Sequence, residues 1–195
     1  MILQGAAIVF ADKGFRASSV EDILVAGNIS RRTFYRLYKS KEEVASALYQ
    51  IGTNRLLEGC KAAIREEAEP LRQIERCIDA HLENAGAFGR LVFVLGGEAQ
   101  ARESLLYAQR METHRALVSA LVEGASARRV DPLVFQALII ALEGVVRVVL
   151  ETGDEGRRVS SAALDRARRV MKRMVAATLV GSGQGVPPLP TPADA

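Results

Sequence analysis

Residues 27–41 read GNISRRTFYRLYKSK. Five of the fifteen are Lys or Arg, three are aromatic, three are Ser or Thr, and none is acidic. The local grammar around them is helical. Gly27 and Asn28 both tolerate positive φ and so fit a turn. Ser30 can cap a helix running through Tyr35, and Ser40 can cap another opening at Lys41 and Glu42. Upstream, SSVEDIL places Ser18 three residues before Glu21 and Ser19 three before Asp22, the spacing of a capping box, so a helix opens there too. Before it, Leu3, Ala6, Ala7 and Phe10 follow the i, i+3, i+4, i+7 pattern of one buried helical face, and Gly14 closes that helix. Three short helices, with a turn of about four residues between the last two, describe a helix-turn-helix.

Such a motif lays its second helix in the major groove of double-stranded DNA, with the N-terminal residues of that helix facing base edges. Arg31 and Arg32 fall there, and an Arg can donate two hydrogen bonds to guanine O6 and N7. Thr33 and Tyr35 carry hydroxyls suited to phosphate oxygens. Lys39 and Lys41 flank the next helix N-terminus, where free N–H groups already favour an anion. Phe34 has a different task, holding the helix on a small core with Ile23 and Phe10. Charge agrees with this division. Residues 1–41 carry seven basic and three acidic side chains, a net +4 against +3 for the whole chain, so the remainder sums to −1.

The rest of the chain reads as long helices over about 41–66, 71–85, 88–95, 102–127, 132–152 and 158–180. Asp131-Pro132 is a helix start, with Asp as cap and Pro where no N–H is needed. The helix it opens is apolar nearly all round, apart from a stripe at Gln136, Glu143, Arg147 and Glu151, so it needs cover on most faces, and a partner subunit is expected to supply part of it. Glu143 and Arg147 interrupt the apolar run from Leu133 to Leu150, which argues against a membrane span. The last fifteen residues hold four of the six prolines and are expected to be disordered. Cys60 and Cys77 have no metal-ligand spacing and read as core thiols of a reducing, cytoplasmic compartment.

At FADKGFRASSVEDI and NISRRTFYRLYKSKEEV, the chain resembles the DNA-binding domain of TetR-family transcriptional regulators over residues 2–48. The resemblance implies an all-α homodimer. Residues 1–46 would form a three-helix helix-turn-helix domain and residues 47–180 a larger ligand-binding and dimerisation domain, followed by the Pro/Gly-rich tail 181–195. Its last two long helices would build a four-helix dimer interface. By that resemblance Arg31 and Arg32 read bases, while Ser19, Thr33, Tyr35, Lys39 and Lys41 hold phosphates; Ser30 is counted with the DNA-binding set as the cap of the reading helix. Three departures stand out. Gly27-Asn28 replaces the family's Ala-Gly turn, and Leu37 occupies a position usually given to His or Tyr. Most members carry basic residues before the first helix, whereas this chain starts almost inside it; either the arm is absent or the native start lies upstream, and both predict weaker, more salt-sensitive DNA binding.

The function expected is therefore a ligand-responsive repressor on a palindromic operator, the alternative being a dimeric binding module that has lost DNA binding with the arm. Residues suited to an internal pocket are His81, Phe88, Phe93, Tyr107, Met111, His114, Phe135, Ile139, Glu143 and Arg147. Glu143 and Arg147, spaced i, i+4, are expected to pair within one helix. The middle helices carry no cluster of Lys and Arg, which favours a small apolar or aromatic effector over a polyanion. No catalytic motif, metal-ligand pattern or cofactor fingerprint is present, so the chain reads as a non-enzyme.

Overall fold

The computed structural model describes residues 1–123, 130–151 and 160–179 of the chain. Among them are nine helices and no strand. They are α1 (Ile2–Lys13), α2 (Val20–Gly27), α3 (Arg31–Leu37), α4 (Lys41–Glu66), α5 (Pro70–Phe88), α6 (Arg90–Glu98), α7 (Leu105–Glu123), α8 (Pro132–Glu151) and α9 (Ser161–Leu179). The sequence-predicted helices correspond to these with ends shifted by a few residues. The expected tail 181–195 lies outside the described residues.

The starts of α2, α3 and α4 are set by serines. Ser19 caps α2 in a reciprocal box: its hydroxyl accepts from the Asp22 amide while the Asp22 carboxylate accepts from the Ser19 amide. Ser30 accepts from the Thr33 amide at 3.1 Å, and Ser40 from the Glu43 amide at 3.4 Å. Asn28 takes the left-handed conformation at φ 48°, ψ 54°, so the turn is made by Asn. Gly27 instead ends α2, where α1 crosses it closely: a Cβ on Gly5 would lie 2.6 Å from the Gly27 nitrogen. Only a bare backbone permits that approach. Gly14 ends α1 at φ 80°, ψ 160°, positive in φ but extended, unlike the left-handed helical geometry expected of it.

Two buried clusters organise the molecule. One joins Phe10, Ile23, Phe34 and Val44, all without exposure, to Leu91 and Leu95 of α6, Ala99 just past its end and Leu106 of α7. Burying Phe34 in this way contributes about 1.5–3 kcal/mol, which holds a seven-residue helix that would not persist alone. The other gathers Ile74, Ile78, Leu82, Phe135, Val146, Met171 and Val175 from α5, α8 and α9. The long helix α4 runs unbroken from the first group of helices into the second, packing along α5 and α7. Asp79 of α5 accepts from Arg168 at 2.8 Å and Lys172 at 3.3 Å, pinning α9 to α5.

Between α5 and α6 the chain bends at Gly89, with φ 49° and ψ −126°, a region closed to residues with a Cβ. The bend turns α6 back so that it touches α1, α4, α5, α7 and α8. α8 begins as expected, with the Asp131 carboxylate accepting from the Leu133 amide at 2.8 Å. By length and composition it could cross a membrane, yet Phe135, Leu138 and Val146 lie in the core. Its opposite face shows Leu133, Ile140 and Val148 at 71%, 48% and 58% exposure.

Candidate nucleic-acid interface and internal cavity

α3 buries only one of its seven residues. Phe34 points inward, and Arg31, Arg32, Tyr35 and Arg36 point out. Arg31 reaches across to α2 and donates to the Glu21 carboxylate. Both partners are largely exposed, so this pair is worth at most about 1 kcal/mol and can exchange for another acceptor. Tyr35 is edge-on to Phe34, its ring 5.3 Å away and 51% exposed. The Ser30 and Thr33 hydroxyls lie 2.9 Å apart. Leu37, where the resemblance leads one to look for a polar side chain, is 60% exposed.

Two residues of the expected phosphate set are occupied otherwise. The Ser19 hydroxyl donates to Asp22 at 2.8 Å, and Asp22 also accepts from Lys13 at 2.5 Å. The Lys13 ammonium, followed by the Ser19 hydroxyl and amide, holds the Asp22 carboxyl down to about 2. Lys41 is turned inward. Its Nζ donates to the carbonyls of Ser18 at 2.6 Å, Phe15 at 3.0 Å and Arg16 at 3.3 Å, and lies 4.8 Å from the centre of the Phe15 ring. An ammonium has three N–H donors, so none is left for a phosphate. Lys39 is exposed. Its amide donates to Glu43 at 2.7 Å and leaves the side chain free of that duty.

Deeper in the molecule a cavity of about 180 Å³ opens among α4 to α8. Of the ten residues expected to line a pocket, His81, Phe88, Phe93, His114, Phe135, Ile139, Glu143 and Arg147 do. Tyr107 and Met111 do not: on α7 Tyr107 lies one turn before Arg110, and Met111 follows Arg110 directly and so projects about 100° away from it. The lining is mostly Leu, Ile, Val and Phe, with polar groups such as His81, Asn84, Arg110, His114 and Glu143 among them.

The expected Glu143–Arg147 pair does not form. Glu143 instead accepts from Arg110 of α7 at 2.6 and 3.1 Å and from His114 Nε2 at 2.7 Å. The Gln136 amide donates to His114 Nδ1 at 3.0 Å and completes the chain. Burial pushes the Glu143 carboxyl up, but the hydrogen bonds and charges of His114 and Arg110 outweigh it and hold it below its ordinary range. Arg147 donates to Gln100 at 2.7 Å and lies over the Phe93 ring at 5.8 Å. The i, i+4 spacing allowed the intrahelical pair, but the carboxylate found part-buried partners on α7 and the guanidinium found Gln100, just past α6.

Tyr49, Cys60, Cys77 and Arg110 are among the lining residues that were not expected there. Burial, then the Glu143 charge, pushes the Tyr49 phenol up, so it stays protonated. Cys60 and Cys77 face each other, each thiol directed at the other's carbonyl at 3.9 and 3.7 Å. The Cys77 contact, then burial, pushes the Cys60 thiol up, which makes it a poor nucleophile. Arg110 could have been suspected, since it shares a face of α7 with His114 at i, i+4. Among the described residues no group of three or more His, Cys, Asp or Glu side chains could hold a metal ion.

Residues 2–48 match the family model for bacterial regulatory proteins of the tetR family. The match spans α1 to α3 and the start of α4. Over the whole chain the TetR fold recurs in solved structures. The TetR-family transcriptional regulator PfmR from Thermus thermophilus is 24% identical, with 89% of this chain and 96% of that one covered and a TM-score of 0.65. The fatty acid degradation regulator FadR from Bacillus halodurans is 19% identical, with 88% and 96% covered and a TM-score of 0.71. The ketosteroid transcriptional regulator KstR2 of Mycobacterium tuberculosis is 21% identical, with 90% and 92% covered and a TM-score of 0.66. At these identities the likeness is one of fold. No curated protein matches the chain. The chain thus carries a TetR-type helix-turn-helix at residues 2–48 and shares the all-helical fold of these regulators over most of its length.

Proposed function

We propose that this TetR-type regulator is a ligand-responsive repressor that binds a palindromic operator as a homodimer in the cytoplasm. Residues 1–46 are its reading head and 47–180 its effector-binding and dimerising body. The observation that carries the reading is shared packing. Leu91 and Leu95 of α6 line the internal cavity and also belong to the buried cluster of the head, with Leu48, Tyr49 and Phe88 packed beside them. A molecule entering the cavity therefore presses on the same side chains that seat α1 and α4, and close-packed interiors transmit such a displacement. Arg16, at the foot of the head, also donates to Glu98 at the end of α6 at 3.2 Å.

On DNA, Arg31 and Arg32 read bases, Arg31 exchanging Glu21 for guanine. Thr33, Tyr35 and Lys39 take phosphates. Ser19, Ser30 and Lys41 hold the frame by capping and by tying the loop to α4. The exposed apolar stripe of α8, with Leu133, Ile140 and Val148, is the face a second copy covers, supporting the homodimer. Its two recognition helices then address half-sites about 34–36 Å apart. To shift the dimer from about 99% competent to 1%, an effector must prefer the incompetent form by about 5.5 kcal/mol. The test is fluorescence anisotropy on DNA flanking its own gene against scrambled competitor, at about 50 and 200 mM salt. Sequence-preferring binding that falls steeply with salt is expected. Equal binding to both DNAs at both salts sinks the reading.

A further inference from the structure

Two residues that line the cavity each hold a polar atom with no hydrogen-bond partner and almost no accessible surface: His81 Nε2 and Asn84 Oδ1. They lie three residues apart on α5, so they present on one face of that helix. Native interiors rarely leave such groups unmatched, because each unpaired polar atom forfeits its hydration with nothing in return. The neighbouring ions are already satisfied. Glu143 is held by Arg110 and His114, and His114 by Gln136. Burial also lowers the His81 pKa, against the pull of Glu143, so its imidazole is neutral near pH 7. The two open positions are therefore an uncharged ring nitrogen, able to donate or accept, and a carbonyl oxygen that only accepts.

We infer that the cavity is built for an uncharged apolar molecule bearing one hydroxyl, an alcohol or a phenol, whose oxygen meets His81 Nε2 and whose proton goes to Asn84 Oδ1. This rests on the reading of the cavity as an effector site. A hydroxyl is the smallest group that accepts and donates at once. A carboxylate would bring an unmatched negative charge beside Glu143, and it has no proton for Asn84. A hydrocarbon would leave both atoms unpaired. In size the space suits a substituted benzene, since a dry apolar cavity of about 150 Å³ holds benzene.

The experiment is isothermal titration of the full chain with four probes of one shape: p-cresol, toluene, 4-methylanisole and 4-methylbenzoate. p-Cresol is expected to bind about tenfold more tightly than toluene, the worth of one well-made hydrogen bond. 4-Methylanisole keeps the oxygen but loses the proton, so it should fall below p-cresol. The variants His81→Phe and Asn84→Leu, made singly, should each narrow the p-cresol preference and leave toluene binding nearly unchanged. Toluene binding as well as p-cresol overturns the hydroxyl site while leaving the cavity reading intact. Tighter binding of 4-methylbenzoate also overturns it and moves the polar contact to an arginine such as Arg147. Binding by none of the four at millimolar concentration overturns both. The four probes on the unaltered chain decide the matter even if a variant fails to fold.

Discussion

Replacing Lys41 with Met separates a structural lysine from a phosphate-binding one. Met keeps the aliphatic stem beside Phe15 and deletes the ammonium, so the loss is confined to what Nζ does. The three carbonyls it ties together, those of Phe15, Arg16 and Ser18, form the loop between α1 and α2. A hydrogen bond to a charged group contributes about 1.5–3 kcal/mol. The contacts are not additive, since the bond to Arg16 is long and exposed and water can replace it. The two shorter, part-buried bonds and the ring contact lead to a net loss of about 2–3 kcal/mol. With a urea slope near 3 kcal/mol per molar, the midpoint should fall by about 0.7–1 M at fixed protein concentration with the slope unchanged. In parallel, DNA affinity against salt should keep its slope, because no phosphate contact is lost. A midpoint unmoved within about 0.2 M, together with a salt slope reduced by about 0.9, would refute the reasoning and restore Lys41 as a phosphate clamp.

Four further outcomes follow from the geometry. Arg31→Ala should cost about 1–3 kcal/mol on the operator and relax base preference at one position, whereas Glu21→Gln should bind at least as tightly as the parent; competition binding with single-base variants checks both. The depressed Asp22 carboxyl implies that the α2 cap contributes stability above pH 3.8 and loses it as pH falls toward 2, and a carboxyl titration by NMR showing an ordinary value near 3.8 would contradict this. Glu143→Ala should destabilise the fold by about 2–4 kcal/mol by stranding the part-buried Arg110, and a smaller loss in urea unfolding than in an exposed control such as Glu58→Ala would count against the network. Ile140→Glu should turn a dimer into a monomer in sedimentation without a change in helix content, and a variant still dimeric would mean that α8 is not the interface.

The head was legible in the chain because its signals are short-range. Ser19, Ser30 and Ser40 act on amides three residues away, Asn28 sets its own φ, and the i, i+3, i+4, i+7 spacing puts Phe10 and its neighbours on one face without reference to the rest of the molecule. The all-α class and most helix ends came from the same kind of signal, as did eight of the ten lining residues, since apolar and polar side chains on inner helix faces tend to meet. Which polar groups would pair was a different kind of question. Glu143 and Arg147 had the spacing for an intrahelical bridge, yet Arg110 and His114, some thirty residues earlier, offered a drier and more completely hydrogen-bonded site. Lys41 carried the charge and the place of a phosphate ligand, but three carbonyls from a loop more than twenty residues away took its donors. Local sequence determines where helices begin, end and turn their faces, because those energies are settled within a few residues. The partners of a long charged side chain, and the sharing of Leu91 and Leu95 between head and cavity, were decided only when distant helices packed together, because competition among hydrogen bonds is won by whichever groups the tertiary fold brings into reach and shields from water.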